Sequence, residues 1–277
     1  LSRLGAVTAA SESRTAPVLA ELRKAIDQFE LMLLYQPKVD LQTSRIVGIE
    51  ALVRWPHPER GLLDPDEFLP MVRRSGLMGS LTDAVVNMAL DDALTFKQAS
   101  FEVPIAVNVS APLFADARLP ARIARALADR GLTGTALSLE ITEDLLFGNM
   151  EKSRDVLDQL RRNGIRIAID DFGSGYSTLS YLCELHVDEV KLDRLLVAPV
   201  LDDARVATVV RTIIGLAREL GLTTVAEGIE NAEVARRLAD FGCDVGQGFF
   251  FSAPVPADEA LRLLHDTRRI PDHSAGV

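Results

Sequence analysis

The sequence predicts a (β/α)8 barrel, and three observations carry that reading. Four helical patterns end on glycine just before a short apolar strand, eight candidate strands fall within about 220 residues, and polar residues collect at the late ends of those strands. Helix alternating with strand means parallel strands joined by right-handed crossovers. An open doubly wound sheet is the competing architecture; no G-x-G-x-x-G follows a strand, which weakens its dinucleotide-binding form.

Residues 1–16 are small and polar and read as a linker or connecting segment. The barrel is expected over 17–268, and 269–277, with proline, charges and no periodicity, reads as a flexible tail. From Pro17, apolar residues at Val18, Leu19, Leu22, Ile26 and Phe29 have helical spacing. The strands "LLYQPKVDL" and "RIVGIEALVRW" follow, separated only by Gln42-Thr43-Ser44. That turn is too short for a parallel crossover, so the barrel should open with a hairpin. The four glycine junctions are "LADRG" before "TALSLEIT", "LRRNG" before "IRIAIDDF", "ARELG" before "LTTVAEGI", and "LADFG" before "DVGQGFFF". Glycine just past a helix accepts the left-handed conformation that closes it. "VPIAVNVS" and "DEVKLD" complete the eight strands.

With 277 residues, 48% of them hydrophobic, the chain has material for one large α/β domain. Its net charge of −10 argues against clamping long nucleic acid, which needs a basic footprint, but leaves room for a small phosphate ligand held through metal ions. Cys183 and Cys243 lack C-x-x-C spacing and the four histidines lack zinc spacing, so a reducing, cytoplasmic setting is expected. No apolar run reaches membrane-span length. The chain starts at Leu1 and is read as part of a longer protein with further domains upstream, which could attach the whole to a membrane.

The polar strand-end residues are Glu50, Asn108, Glu140 with Glu143, Asp170 with Asp171, Lys191, Glu227 and Gln247. Any one of them could cap a helix or face water. Taken together, like charges converging on one face would destabilise the fold unless cations neutralised them. Oxygen donors without His or Cys favour Mg²⁺ or Mn²⁺. Two adjacent aspartates suit a pair of ions about 3.5 to 4 Å apart, the arrangement that clamps a phosphoryl displacement. Other motifs are weaker: "DFG" has no kinase loops around it, "GSGYS" is not a nucleophile elbow, and 5% aromatic content suits a sugar-stacking cleft poorly.

The segments "YQPKVDL", "GIEALVRWPHP", "NVS", "LEITE", "IDDFGSGYSTLSYL", "VKLD", "VAEGIE" and "GQGFFFSAP" resemble, in order, the signature of the EAL-domain cyclic-di-GMP phosphodiesterases, from about Leu22 to Leu264. The resemblance implies a modified (β/α)8 barrel with an antiparallel first strand, and hydrolysis of cyclic di-GMP to linear 5′-pGpG in bacterial signalling. It implies two divalent cations, Mg²⁺ or Mn²⁺, with Ca²⁺ inhibitory. Glu50, Asn108, Glu140 and Asp170 would hold one, and Asp170, Asp171 and Glu227 the other. Lys191 and Gln247 would orient or activate the attacking water. Gln36, Leu52, Arg54 and Asp193 match substrate-contacting positions; the fork of donors on Arg54 suits phosphate. Glu143 matches the anchor of the loop "FGSGYSTLSYL", whose following segment would form a homodimer. Arg73 and Arg74 replace a common acidic pair, and Phe249 a common tyrosine. The alternative within this resemblance is a receptor that binds cyclic di-GMP without cutting it.

Overall fold

The computed structural model describes residues 18–28, 30–142, 150–173 and 185–266. Its centre is a closed barrel of eight strands: β1 (Met32–Asp40), β2 (Ile46–His57), β4 (Ile105–Asn108), β5 (Leu137–Thr142), β6 (Arg166–Phe172), β7 (Glu189–Leu192), β8 (Thr223–Ala226) and β9 (Val245–Gly246). Strand β1 pairs antiparallel with β2 on one side and β9 on the other, and every other neighbouring pair is parallel. The opening hairpin is therefore real. Its turn is closed by Asp40, whose carboxylate accepts from the amides of Gln42 at 3.0 Å and Thr43 at 2.7 Å.

The outer layer includes α1 (18–27), α2 (Pro65–Ser75), α3 (Met78–Gln98), α4 (Leu119–Ala128), α5 (Met150–Arg162), a short α6 (Arg194–Val197), α7 (Ala204–Glu219), α8 (Ala232–Phe241) and α9 (Ala257–His265). Aliphatic strand residues such as Leu137, Leu139, Ile167, Val190 and Leu192 are fully buried, as strands covered by helices require. All four predicted junction glycines hold positive φ: Gly131 at 62°, Gly164 at 83°, Gly221 at 72° and Gly242 at 84°. Among the described residues no helix is long and apolar enough to cross a membrane.

Two features depart from the sequence reading. Strand β2 runs past the barrel and pairs with an additional short strand, β3 (Gly61–Leu63), with Trp55 opposite Leu63. At the other end of the chain, "GFFF" does not continue β9. Gly248, at φ 156°, lies so close over Ile229 that a Cβ there would sit 2.2 Å from the Ile229 carbonyl oxygen. The ladder gives way to a crossing, in which the Phe250 amide donates to that same oxygen at 3.0 Å. The crossing ends the strand at Gly246 and leaves Gln247 at the barrel mouth.

Two glycine substitutions with opposite signs test this packing. A Cβ on Gly134, just ahead of β5, would meet the Asn163 carbonyl oxygen at 2.0 Å, so Gly134→Ala should lower stability by about 1–3 kcal/mol. Gly215 lies inside α7 with nothing within 4 Å of where a methyl would stand, so Gly215→Ala should raise it by about 0.5–1 kcal/mol. Urea denaturation of the two variants checks both signs.

Candidate active site

The strand ends deliver their polar residues to one point. Lys191, fully buried on β7, places its ammonium 2.6 Å from Glu140, 2.7 Å from Glu227, 2.9 Å from Asp170 and 3.4 Å from Glu50. Gln247 donates from Nε2 to Glu50 at 2.7 Å and to Gln36 at 3.0 Å, and Asn108 donates to Glu50 at 2.7 Å. The antiparallel register sets Gln36 directly opposite Glu50, and the parallel one sets Asn108 beside Glu140. Burial is graded: Glu140 and Lys191 are at 0% exposure, while Asn108 is exposed.

Adjacent residues of a regular strand point to opposite faces, so Asp170 and Asp171 could not both serve the site without a distortion. Strand β6 supplies one. Its pairing with β7 slips between Ile169 and Phe172, and Asp171 takes φ 55°, a left-handed conformation that aspartate tolerates better than most residues. Oxygens of Asp170, Asp171 and Glu227 then lie within 4.8 Å of one another, as do those of Glu50, Glu140 and Asp170. Asp170 belongs to both groups.

One ammonium does not balance this many carboxylates, and their proton affinities record the excess. Burial and the Glu140 charge push Glu50 up to about 7. Burial, with Asp170 close by, pushes Glu227 up to about 8. Burial and the charges of Asp170 and Asp193 push Asp171 up to about 6. Glu140 goes the other way: burial would raise it, but Lys191 and Lys38 outweigh burial and hold it down at about 2. The donor set fits a hard divalent cation. It is all oxygen, it carries surplus negative charge, and the buried Oε1 of Gln247 has no hydrogen-bond partner among the described residues.

The remaining predicted residues lie at the rim or elsewhere. Asp193 caps α6, accepting from the Leu195 amide at 2.5 Å, and its carboxylate is among the charges that raise Asp171. Arg54 is held by Asp64 at 2.8 Å, and Leu52 is half-buried on β2. Arg73 and Arg74 sit in the last turn of α2, where helix carbonyls favour cations, and Arg74 donates to the Pro70 carbonyl at 3.2 Å. Glu143 and residues 174–182 of the glycine-rich loop lie outside the described residues. Sequence reasoning missed Lys38 and Glu189, a buried pair at 2.6 Å below the site. The signal was present, since each lies two residues from a strand-borne site residue and so on the same face.

A family model described as "EAL domain" matches residues 19–254. The chain belongs to the EAL domain family. The bifunctional diguanylate cyclase/cyclic di-GMP phosphodiesterase MucR of Pseudomonas aeruginosa is 38% identical over 245 residues, which are 88% of this chain and 36% of that protein. The cyclic di-GMP phosphodiesterase NbdA of the same organism is 38% identical over 237 residues, 85% of this chain and 30% of that protein. The chain thus spans about a third of the length of these curated relatives. A solved structure titled "PaMucR Phosphodiesterase, c-di-GMP complex" superposes with a TM-score of 0.83 at 37% identity, covering 88% of this chain and 99% of that one.

The raised carboxylates give a signed pH dependence. Glu50, Asp171 and Glu227 bind protons more tightly folded than unfolded, so between about pH 5 and 8 the metal-free fold holds the extra protons and loses stability as pH rises. Glu140 acts oppositely, but only below its ordinary value of 4.5. In chelator, the melting temperature should fall between pH 6 and pH 8, and Mn²⁺ should flatten that slope because it binds the deprotonated carboxylates. A melting temperature that climbs with pH in chelator would contradict the charge balance described.

Proposed function

We propose that this domain hydrolyses cyclic di-GMP to linear 5′-pGpG with two divalent cations, Mg²⁺ or Mn²⁺. The observation that supports this best is the pair of oxygen clusters sharing Asp170, set at the mouth of a barrel whose relatives are named cyclic di-GMP phosphodiesterases. Glu50, Asn108, Glu140 and Asp170 would hold one cation, and Asp170, Asp171 and Glu227 the other. When bound, such a pair supplies an activated water at neutral pH and charge neutralisation on the phosphodiester.

The chain's own residues divide the remaining work. Gln247 and Gln36, linked to each other and to Glu50, form a rigid polar wall on one side of the site. Such a wall orients a water or a substrate oxygen without supplying charge. Arg54 offers a guanidinium fork to a phosphate once it leaves or shares Asp64. Lys191 has a second role beside its part in catalysis: its ammonium is the counter-charge that lets the carboxylates converge before any cation arrives.

Chromatography of cyclic di-GMP incubated with the purified chain tests the activity directly. Linear pGpG should appear with Mg²⁺ or Mn²⁺ and not with chelator, and Ca²⁺ should support binding without cleavage. Absence of both binding and cleavage would undo the proposal. Glu50→Gln should reduce turnover by at least about 100-fold while the chain stays folded. Lys191→Ala should also lose turnover, but it should melt lower without metal, since removing one partner of a buried ion cluster costs about 3–5 kcal/mol.

A further inference from the structure

Glu140 is the most deeply placed carboxylate of the site, and its two oxygens have different partners. Oε2 accepts from Lys191 at 2.6 Å, and Oε1 accepts from Lys38 at 2.7 Å. Lys38 is itself pinned from below, donating to Oε1 of Glu189 at 2.6 Å. Both Lys38 and Glu189 are buried. The reversed direction of β1 makes this arrangement possible. Lys38 follows Gln36 by two residues and therefore lies one layer deeper in the barrel, whereas on the parallel β7 the residue one layer deeper, Glu189, precedes Lys191 by two. Gly48 stands opposite Lys38 in the β1–β2 register, and a Cβ at Gly48 would come within 3.6 Å of the lysine stem. A small cavity of about 60 Å³ at the N-terminal end of the barrel is lined by Lys38, Gly48, Ala106, Ser138 and Glu189, so the pair forms the floor between that end and the site.

Lys191 is shared among four carboxylates, so a cation reaching Glu140 Oε2 would compete with Lys191 for it. Lys38 has no such competing demand, because its two carboxylate partners, Glu140 and Glu189, lie on the strand layers that hold it. We infer that Lys38 and Glu189 are positioning residues: they hold Glu140 by Oε1, so that only Oε2 is presented to a cation and the carboxylate does not rotate away when Lys191 lets go. Ligating carboxylates held by an outer partner in this way bind metal more tightly than free ones. The inference rests on the metal reading of the site given above.

Calorimetric titration of Mn²⁺ into the chain tests it, beside thermal melting in chelator. In Lys38→Met/Glu189→Gln, one positive and one negative charge are removed together, so the net field at the site is little changed and an altered affinity reports position. Replacing a buried ion pair by neutral residues of similar size is often neutral for stability, so the double variant should fold. It should bind Mn²⁺ about 10- to 100-fold more weakly than the unmodified chain. Glu189→Gln alone keeps an acceptor for Lys38 and should bind within about three-fold of it. A folded double variant with unchanged Mn²⁺ affinity would overturn the inference. So would a folded Glu189→Gln chain that loses Mn²⁺ while Lys38 still holds Glu140, and this variant decides the matter if the double variant does not fold. An unmodified chain that takes up no Mn²⁺ would instead overturn the metal reading itself, and the inference with it.

Discussion

Everything at the barrel mouth depends on one imbalance: more buried carboxylates than cations around the Lys191 ammonium. Glu50, Glu140, Asp170 and Glu227 all reach it within 3.4 Å, and an ammonium has only three protons to give. Of these four, Lys38 pairs directly with Glu140. The surplus shows as raised proton affinity at Glu50 and Glu227, and a divalent ion relieves it more completely than a proton does. The group is held together against its own repulsion because the carboxylates stand on separate strands whose aliphatic neighbours are buried against the surrounding helices.

Three departures from a regular parallel barrel each position a polar side chain. Reversal of β1 sets Gln36 against Glu50 and sends Lys38 beneath Glu140. The slip in β6 at Asp170 and Asp171 lets neighbouring aspartates serve one site, at the cost of a left-handed aspartate. The close crossing of Gly248 over Ile229 stops β9 after two residues and holds Gln247 against Glu50. A regular strand would have turned either Asp170 or Asp171 away from the pore. Backbone irregularity is concentrated where the chemistry is, while the glycine-capped αβ junctions are repetitive and serve only the fold.

Much of this was legible in the sequence because it is local. Glycine after an amphipathic helix, a three-residue turn between apolar strands, and the alternation of the two periods each depend on residues near in the chain. The eight strands and their hairpin opening followed from these. The carboxylates could be found because they interrupt apolar runs at similar places in successive strands. The family motifs implied a role for each. The short β3 and the early end of β9 were not legible, since they depend on what a segment meets across the fold: Leu63 on Trp55 in the first case, Gly248 on Ile229 in the second.

By itself, then, the sequence determined the barrel, the order of its elements and the oxygen-rich character of its mouth, since periodicity, turn length and residue type are properties of the chain. Only the tertiary structure decided how the charges are shared. Lys191 could be named as a site residue, but not as the counter-ion of four carboxylates drawn from four other strands or strand ends. Lys38 and Glu189 read as ordinary strand residues until closure of the barrel joined them to each other and Lys38 to Glu140, which lies 102 residues from Lys38 and 49 from Glu189 in the chain. Coulombic coupling acts through distance in space, and strand register, shear and closure set that distance.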